Sequence, residues 1–180
     1  KLFNVKPARA IEQLVADGVL QRTPADVARF LLTADKLDKR AVGDFIGEAD
    51  SFNLDVLAAF VGHMDYTGLE IDEALRAFLS KFRLPGEAQK IDRIVERFAH
   101  RYVANNPRVF PTADTAYVLV FSIIMLHTDA HNAQVKNKMT REQFVSNNRG
   151  IADGKDLPRE FLEALYERIV TTEIKLEGDD

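Results

Sequence analysis

Glu87 is the first residue to weigh for chemistry. It stands in the run Phe82-Arg83-Leu84-Pro85-Gly86-Glu87-Ala88-Gln89-Lys90-Ile91-Asp92-Arg93. A helical pattern runs to Phe82, Pro85-Gly86 breaks it, and a new pattern opens at Glu87. An acid in a first helical turn gains about 0.3–1 kcal/mol from the macrodipole and needs no other role. A tight loop between two packed helices also presents such an acid rigidly at a protruding tip. What it offers there is charge rather than covalent chemistry.

The second segment to weigh runs from Asp114 to Asn132. Its first part is apolar all round, and helices of that kind are normally buried. On a helix, Tyr117, Phe121, Ile124, Met125 and Thr128 share one stripe. The pattern by itself favours core for that stripe. The alternative is a groove that receives a partner's apolar loops, with methionine and aromatics as adaptable contacts.

His127 and His131 are four residues apart, so they share a helix face as metal-binding pairs do. Asp129 points elsewhere if the helix continues, and no third ligand or HExxH acid accompanies the pair. The sequence therefore predicts no metal site and places these histidines on the surface at a helix end. It has no phosphate-cradling glycine loop and no GxSxG elbow. It has no cysteine, which removes disulfides, thiolate catalysis and cysteine-bound zinc.

The elements that must position these residues are helices. Apolar residues recur at spacings of three and four, as in Ile71, Leu75, Phe78, Leu79 and Phe82, then Ile91, Ile94, Val95, Phe98 and Tyr102, then Leu162, Leu165 and Ile169. Pro7, Pro24 and Pro158 stand where first turns begin. Thr23 reads as an N-cap and Thr140-Arg141-Glu142-Gln143 as a capping box. Gly18, Gly47 and Gly150 fall where left-handed C-caps are common. Strand alternation and hairpin signals are absent, and Asp153-Gly154 reads as an ordinary loop.

The chain has 180 residues, enough for one domain or two tightly packed halves. The net charge of −4 argues against nucleic acid, whose binders carry a basic footprint. The longest apolar run, Ala116 to Leu126, is too short to span a membrane and reads as a core helix. The abrupt opening Lys1-Leu2-Phe3 reads as a domain cut from a longer protein. The fold class expected is all-α, with about ten helices joined by short loops and a soft division at Asn105 to Thr112.

The run Phe82 to Arg93 resembles the signature motif of Sec-seven domains, the exchange factors of ARF-family small GTPases. Asp114 to Asn132, with Val135-Lys136-Asn137-Lys138-Met139, is similar to their second motif. Asn148-Arg149-Gly150-Ile151, Asp156-Leu157-Pro158, Phe3-Asn4 and Lys6-Pro7 match the closing and opening stretches. The resemblance covers nearly the whole chain, and its wording is closer to the large Golgi-type, brefeldin-related members.

The resemblance implies an elongated right-handed array of helices in two subdomains, about 1–108 and 109–180, with a hydrophobic groove between them. It implies exchange without covalent chemistry. Glu87 falls on the family's glutamic finger, which takes over the GTPase's phosphate-loop lysine and displaces magnesium and the β-phosphate. Lys90, Asp114, Tyr117, Phe121, Ile124, Met125, Thr128 and Asn132 fall on the ARF-binding surface. Mg²⁺ and GDP or GTP belong to the partner, so the domain itself needs no cofactor. The isolated domain is expected to be a monomer that binds no nucleic acid and does not itself insert into a membrane. The full-length protein is expected to be cytoplasmic and peripheral at Golgi or endosomal membranes.

Two departures bear on these expectations. His127 stands where the family usually has Asn. The four brefeldin-determining positions read Phe121, Ser122, Asp129 and Met139, where sensitive members carry Tyr, Ser, Asp and Met. One hydroxyl is lost, which predicts partial sensitivity. The competing reading is a helical adaptor that binds a small GTPase without exchange; an intact Glu87 argues against it.

Overall fold

A computed structural model describes residues 1–175. Ten helices account for most of them: α1 (Leu2–Val5), α2 (Pro7–Ala16), α3 (Pro24–Thr33), α4 (Lys39–Ile46), α5 (Ser51–Gly62), α6 (Ile71–Leu79), α7 (Ala88–Asn105), α8 (Ala113–His131), α9 (Arg141–Asn147) and α10 (Arg159–Thr171). The all-α class expected from the apolar spacing holds.

The punctuation explains most helix ends. Pro7 and Pro24 occupy first helical positions. The Thr23 hydroxyl accepts from the Asp26 N–H at 3.2 Å, and Thr140 and Gln143 form the reciprocal capping box. Pro158 stands one residue earlier than expected, at the N-cap of α10. Gly18 and Gly150 take positive φ, but Gly47 does not: its φ is −84°. Gly47 is required for space rather than for handedness, as the loop geometry below shows. Asp153-Gly154 also departs from the ordinary-loop reading. Both residues take positive φ, and Ala152 and Lys155 exchange two backbone hydrogen bonds across them. That is a two-residue turn of the hairpin kind. It lacks the alternating apolar flanks that would mark it in sequence.

The described residues form two compact units. The first comprises Lys1–Asp65 and Ala77–Arg97. Here α3 packs on α5, and α4 packs against α1, α2 and α5. Its core holds a run of edge-on aromatic contacts, Phe60 with Phe78 and Phe82 and Phe78 with Phe82, at 4.8–6.4 Å between centroids. The second comprises Tyr66–Arg76 and Phe98–Lys175. In it α10 packs on α8 and α9. Asp72, 1% exposed, takes two 2.8 Å hydrogen bonds from the Arg168 guanidinium, which satisfies a carboxylate that burial alone would penalise. Asn106 joins the turn after α5 to α7, donating to the Tyr66 and Tyr102 carbonyls and accepting from the Gly68 N–H.

Candidate functional site

The loop that carries Glu87 belongs to the first unit. The helix before it ends at Leu79, not at Phe82. Phe82 is fully buried and continues the apolar spacing from outside the helix, because the loop packs into the same core. Glu87 precedes α7 by one residue. Its carbonyl accepts the Ile91 N–H at 3.0 Å, which makes it the N-cap rather than a first-turn residue. Its side chain is 74% exposed.

The loop is held at both flanks by α4. On the incoming side the Arg83 N–H donates to the Lys39 carbonyl at 3.0 Å, and Lys39 Nζ donates to the Ser80 carbonyl at 2.7 Å. On the outgoing side Lys90 and Arg93 of α7 reach the C-terminal end of α4. Arg93 donates to the Gly47 carbonyl at 2.6 Å, and Lys90 Nζ donates to Glu48 Oε1 at 3.0 Å and to the Asp44 carbonyl at 3.3 Å. Cations at a helix C-terminus satisfy carbonyls that have no partner inside the helix.

Two glycines make this approach possible. A Cβ on Gly43 would meet the Arg83 carbonyl oxygen at 1.9 Å, and one on Gly47 would meet Lys90 Cβ at 2.9 Å. The spacing of four puts both on one face of α4, and the loop and α7 lie against that face. Sequence reasoning took Gly47 as a cap and passed over Gly43. The paired small residues were the available signal of a close approach.

Lys90, expected on the partner surface, is enclosed instead: it is 9% exposed. Burial opposes its charge, but the Glu48 hydrogen bond and the Asp44 and Glu87 carboxylates outweigh that and hold the ammonium above its ordinary range.

The second set of residues lies on α8, in the second unit. Thr112 caps this helix, accepting from the Thr115 N–H at 3.3 Å. Ala116, Leu119, Val120, Ile123 and Leu126 are fully buried. The opposite side, though it carries five apolar or aromatic residues from Tyr117 to Met125, is not. Asp114, Val118, Met125, Thr128 and Asn132 are exposed, and Tyr117, Phe121 and Ile124 are half-buried. The core reading of this stripe is therefore corrected. Met125 shows 64% of its surface, an unusual exposure for a long apolar side chain in the middle of a 19-residue helix. Tyr117 and Phe121, one turn apart, meet edge-on at 5.1 Å.

The end of α8 is tied to the loop after it. Asp129 Oδ2 accepts the Met139 N–H at 2.7 Å, Tyr166 donates its hydroxyl to the Met139 carbonyl, and Lys138 Nζ donates to the carbonyls of Asp129 and Asn132. Ser122 Oγ accepts from Asn148 Nδ2 at 2.8 Å. Three of the four expected brefeldin positions thus have set hydrogen-bond partners, while Phe121 lies on the half-exposed aromatic stripe.

The histidines are not a loose surface pair. His127 Nε2 accepts the Ile174 N–H at 2.9 Å, and His131 Nε2 faces the Ile169 carbonyl at 2.8 Å. Both Nε2 atoms are occupied by backbone, one by the last turn of α10 and one by the segment just after it. No group of three or more His, Cys, Asp or Glu among the described residues is placed to hold a metal ion.

Residues 1–174 match the Sec7 domain family. The chain belongs to that family. This Sec7 domain is 54% identical over 179 residues to brefeldin A-inhibited guanine nucleotide-exchange protein 2 of Arabidopsis thaliana, covering 99% of the chain and 10% of that protein. It is 52% identical over 176 residues to the ADP-ribosylation factor guanine nucleotide-exchange factor SEC7 of Saccharomyces cerevisiae, covering 97% of the chain and 9% of that protein. The chain thus spans about a tenth of the length of these curated relatives. The crystal structure of the Sec7p catalytic domain superposes with a TM-score of 0.91 at 52% identity, covering 96% of this chain and 92% of that one. A Sec7 domain solved with ARF1–GDP and brefeldin A gives 0.91 at 41% identity, with coverage of 99% and 91%.

Proposed function

We propose that this Sec7 domain is a guanine-nucleotide exchange factor for ARF-family small GTPases, with Glu87 as the residue that loosens bound GDP. The observation that carries the reading is a carboxylate 74% exposed at the N-cap of α7, on a loop held to α4 at both flanks. Because the backbone at the loop's flanks is already held, placing this charge in a partner's site costs mainly the ordering of the Glu87 side chain. The solved relative bound to ARF1–GDP supports the partner class.

The magnitude is sufficient. Two unit charges about 4 Å apart, at an effective dielectric near 20, interact by roughly 4 kcal/mol. Each 1.4 kcal/mol is about tenfold in affinity, so one acid that captures the partner's phosphate-binding lysine weakens GDP by around a thousandfold. No covalent bond is made or broken. Magnesium and nucleotide belong to the GTPase.

Asp114, Tyr117, Phe121, Ile124, Met125, Thr128 and Asn132 form the contact face for the GTPase, and Phe121, Ser122, Asp129 and Met139 set the response to brefeldin A. Residues 1–180 act as one catalytic domain. No helix among the described residues is long and apolar enough to cross a membrane. The full-length protein works as a peripheral protein at Golgi or endosomal membranes. The test is release of fluorescent GDP from a truncated, myristate-free ARF. The domain accelerates it by orders of magnitude if the reading is right; a rate equal to the spontaneous one overturns it.

A further inference from the structure

Lys90 has no free route to a partner. Its stem crosses Gly47, where a Cβ would stand 2.9 Å from Lys90 Cβ, and its ammonium is anchored by Glu48 Oε1 at 3.0 Å and the Asp44 carbonyl at 3.3 Å. Two further carboxylate oxygens stand close, Asp44 Oδ1 at 3.8 Å and Glu87 Oε1 at 3.9 Å. The Glu87 distance is too long for a hydrogen bond and short enough for a solvent-screened Coulomb attraction. We propose that Lys90 is a positioning residue for Glu87, a fixed cation that steers the carboxylate before the GTPase arrives and releases it to the partner's lysine.

This inference rests on the exchange reading given above. Three carboxylates stand within 4 Å of this one ammonium. Asp44 lies in the last turn of α4 and Glu48 two residues beyond it, whereas Glu87 sits on the loop before α7. Without the ammonium, Asp44 and Glu48 would repel the Glu87 carboxylate. With it, Glu87 is held by attraction but not bonded. When Glu87 leaves for another cation, Lys90 remains compensated by Glu48 and Asp44. The transfer therefore leaves no buried charge unpaired, which would otherwise be the expensive step.

The test is a double-mutant cycle with GDP release as the readout, using K90M, E87Q and the double variant. Lys90→Met is expected to lower the maximal release rate about tenfold, or ~1.4 kcal/mol, with the half-saturating domain concentration unchanged. In the Glu87→Gln background the same substitution should leave the residual rate unchanged. If K90M slows both backgrounds equally, Lys90 is only structural and the proposal falls while the exchange reading stands. If E87Q releases GDP as fast as the unmodified domain, both readings fall. Lys90→Arg guards against misfolding, since it keeps charge and stem. It should retain most of the exchange rate. An arginine variant as slow as K90M, with an unaltered melting curve, overturns the proposal.

Discussion

A Cβ on Gly43 would stand 1.9 Å from the carbonyl oxygen of Arg83. That relationship fixes how closely the Glu87 loop lies on α4, and it yields the first prediction. Glycine inside a helix costs roughly 1 kcal/mol relative to alanine by propensity, so Gly43→Ala would stabilise a free helix. Here the clash is with backbone, which cannot swing aside, and overpacking of this kind costs about 1–3 kcal/mol. The steric effect should win. We expect a lower melting temperature, by ~2–4 °C per kcal/mol for a chain of this size, together with slower GDP release. A higher melting temperature would show that the approach is not tight.

Glu87→Gln separates activity from stability. The side chain is 74% exposed, and glutamine keeps its shape while placing no second cation beside Lys90. Thermal unfolding should therefore be nearly unchanged while accelerated GDP release is lost. A variant that matches the parent rate would remove Glu87 from the mechanism.

Much of the fold was legible because helices announce themselves through spacing and caps. Thr23 and Thr140 marked helix starts that the structure places at those residues. The errors have physical causes. Phe82 extended the pattern of α6 because a buried loop residue packs like a helical one. The exposed stripe of α8 read as core because an apolar side chain looks the same in sequence whether or not the core covers it. Lys90 and Glu48 are 42 positions apart, so no local pattern could report that α4 encloses the ammonium. Gly43 and Arg83 are as distant, and only the spacing of Gly43 to Gly47 hinted at a contact.

Met125 and Leu119 offer a direct comparison on one helix. Leu119 is fully buried and Met125 is 64% exposed. Leu119→Ala should cost about 2–5 kcal/mol in unfolding experiments, as a core truncation does. Met125→Ala should leave thermal unfolding nearly unchanged and raise the concentration of domain needed for half-maximal GDP release. A large drop in melting temperature for Met125→Ala would return that residue to the core.

His127 makes a pH prediction whose sign follows from its surroundings. Partial burial comes first in holding its pKa below the ordinary value of 6.5, the neighbouring His131 and Arg76 add to this, and Glu173 opposes them. Its Nε2 accepts the Ile174 N–H, which requires the neutral ring. The unfolded chain takes up the proton first, so the contribution of His127 is fully present above pH 6.5 and is lost as pH falls through the lower folded-state value. Between neutral pH and the onset of carboxylate titration, the domain should lose stability more steeply than His127→Asn. Urea unfolding of both at several pH values reads this directly. The variant also replaces the Ile174 acceptor with a shorter one, so a lower stability at neutral pH is expected as well. Equal slopes for the two proteins would show that His127 does not govern the acid limb.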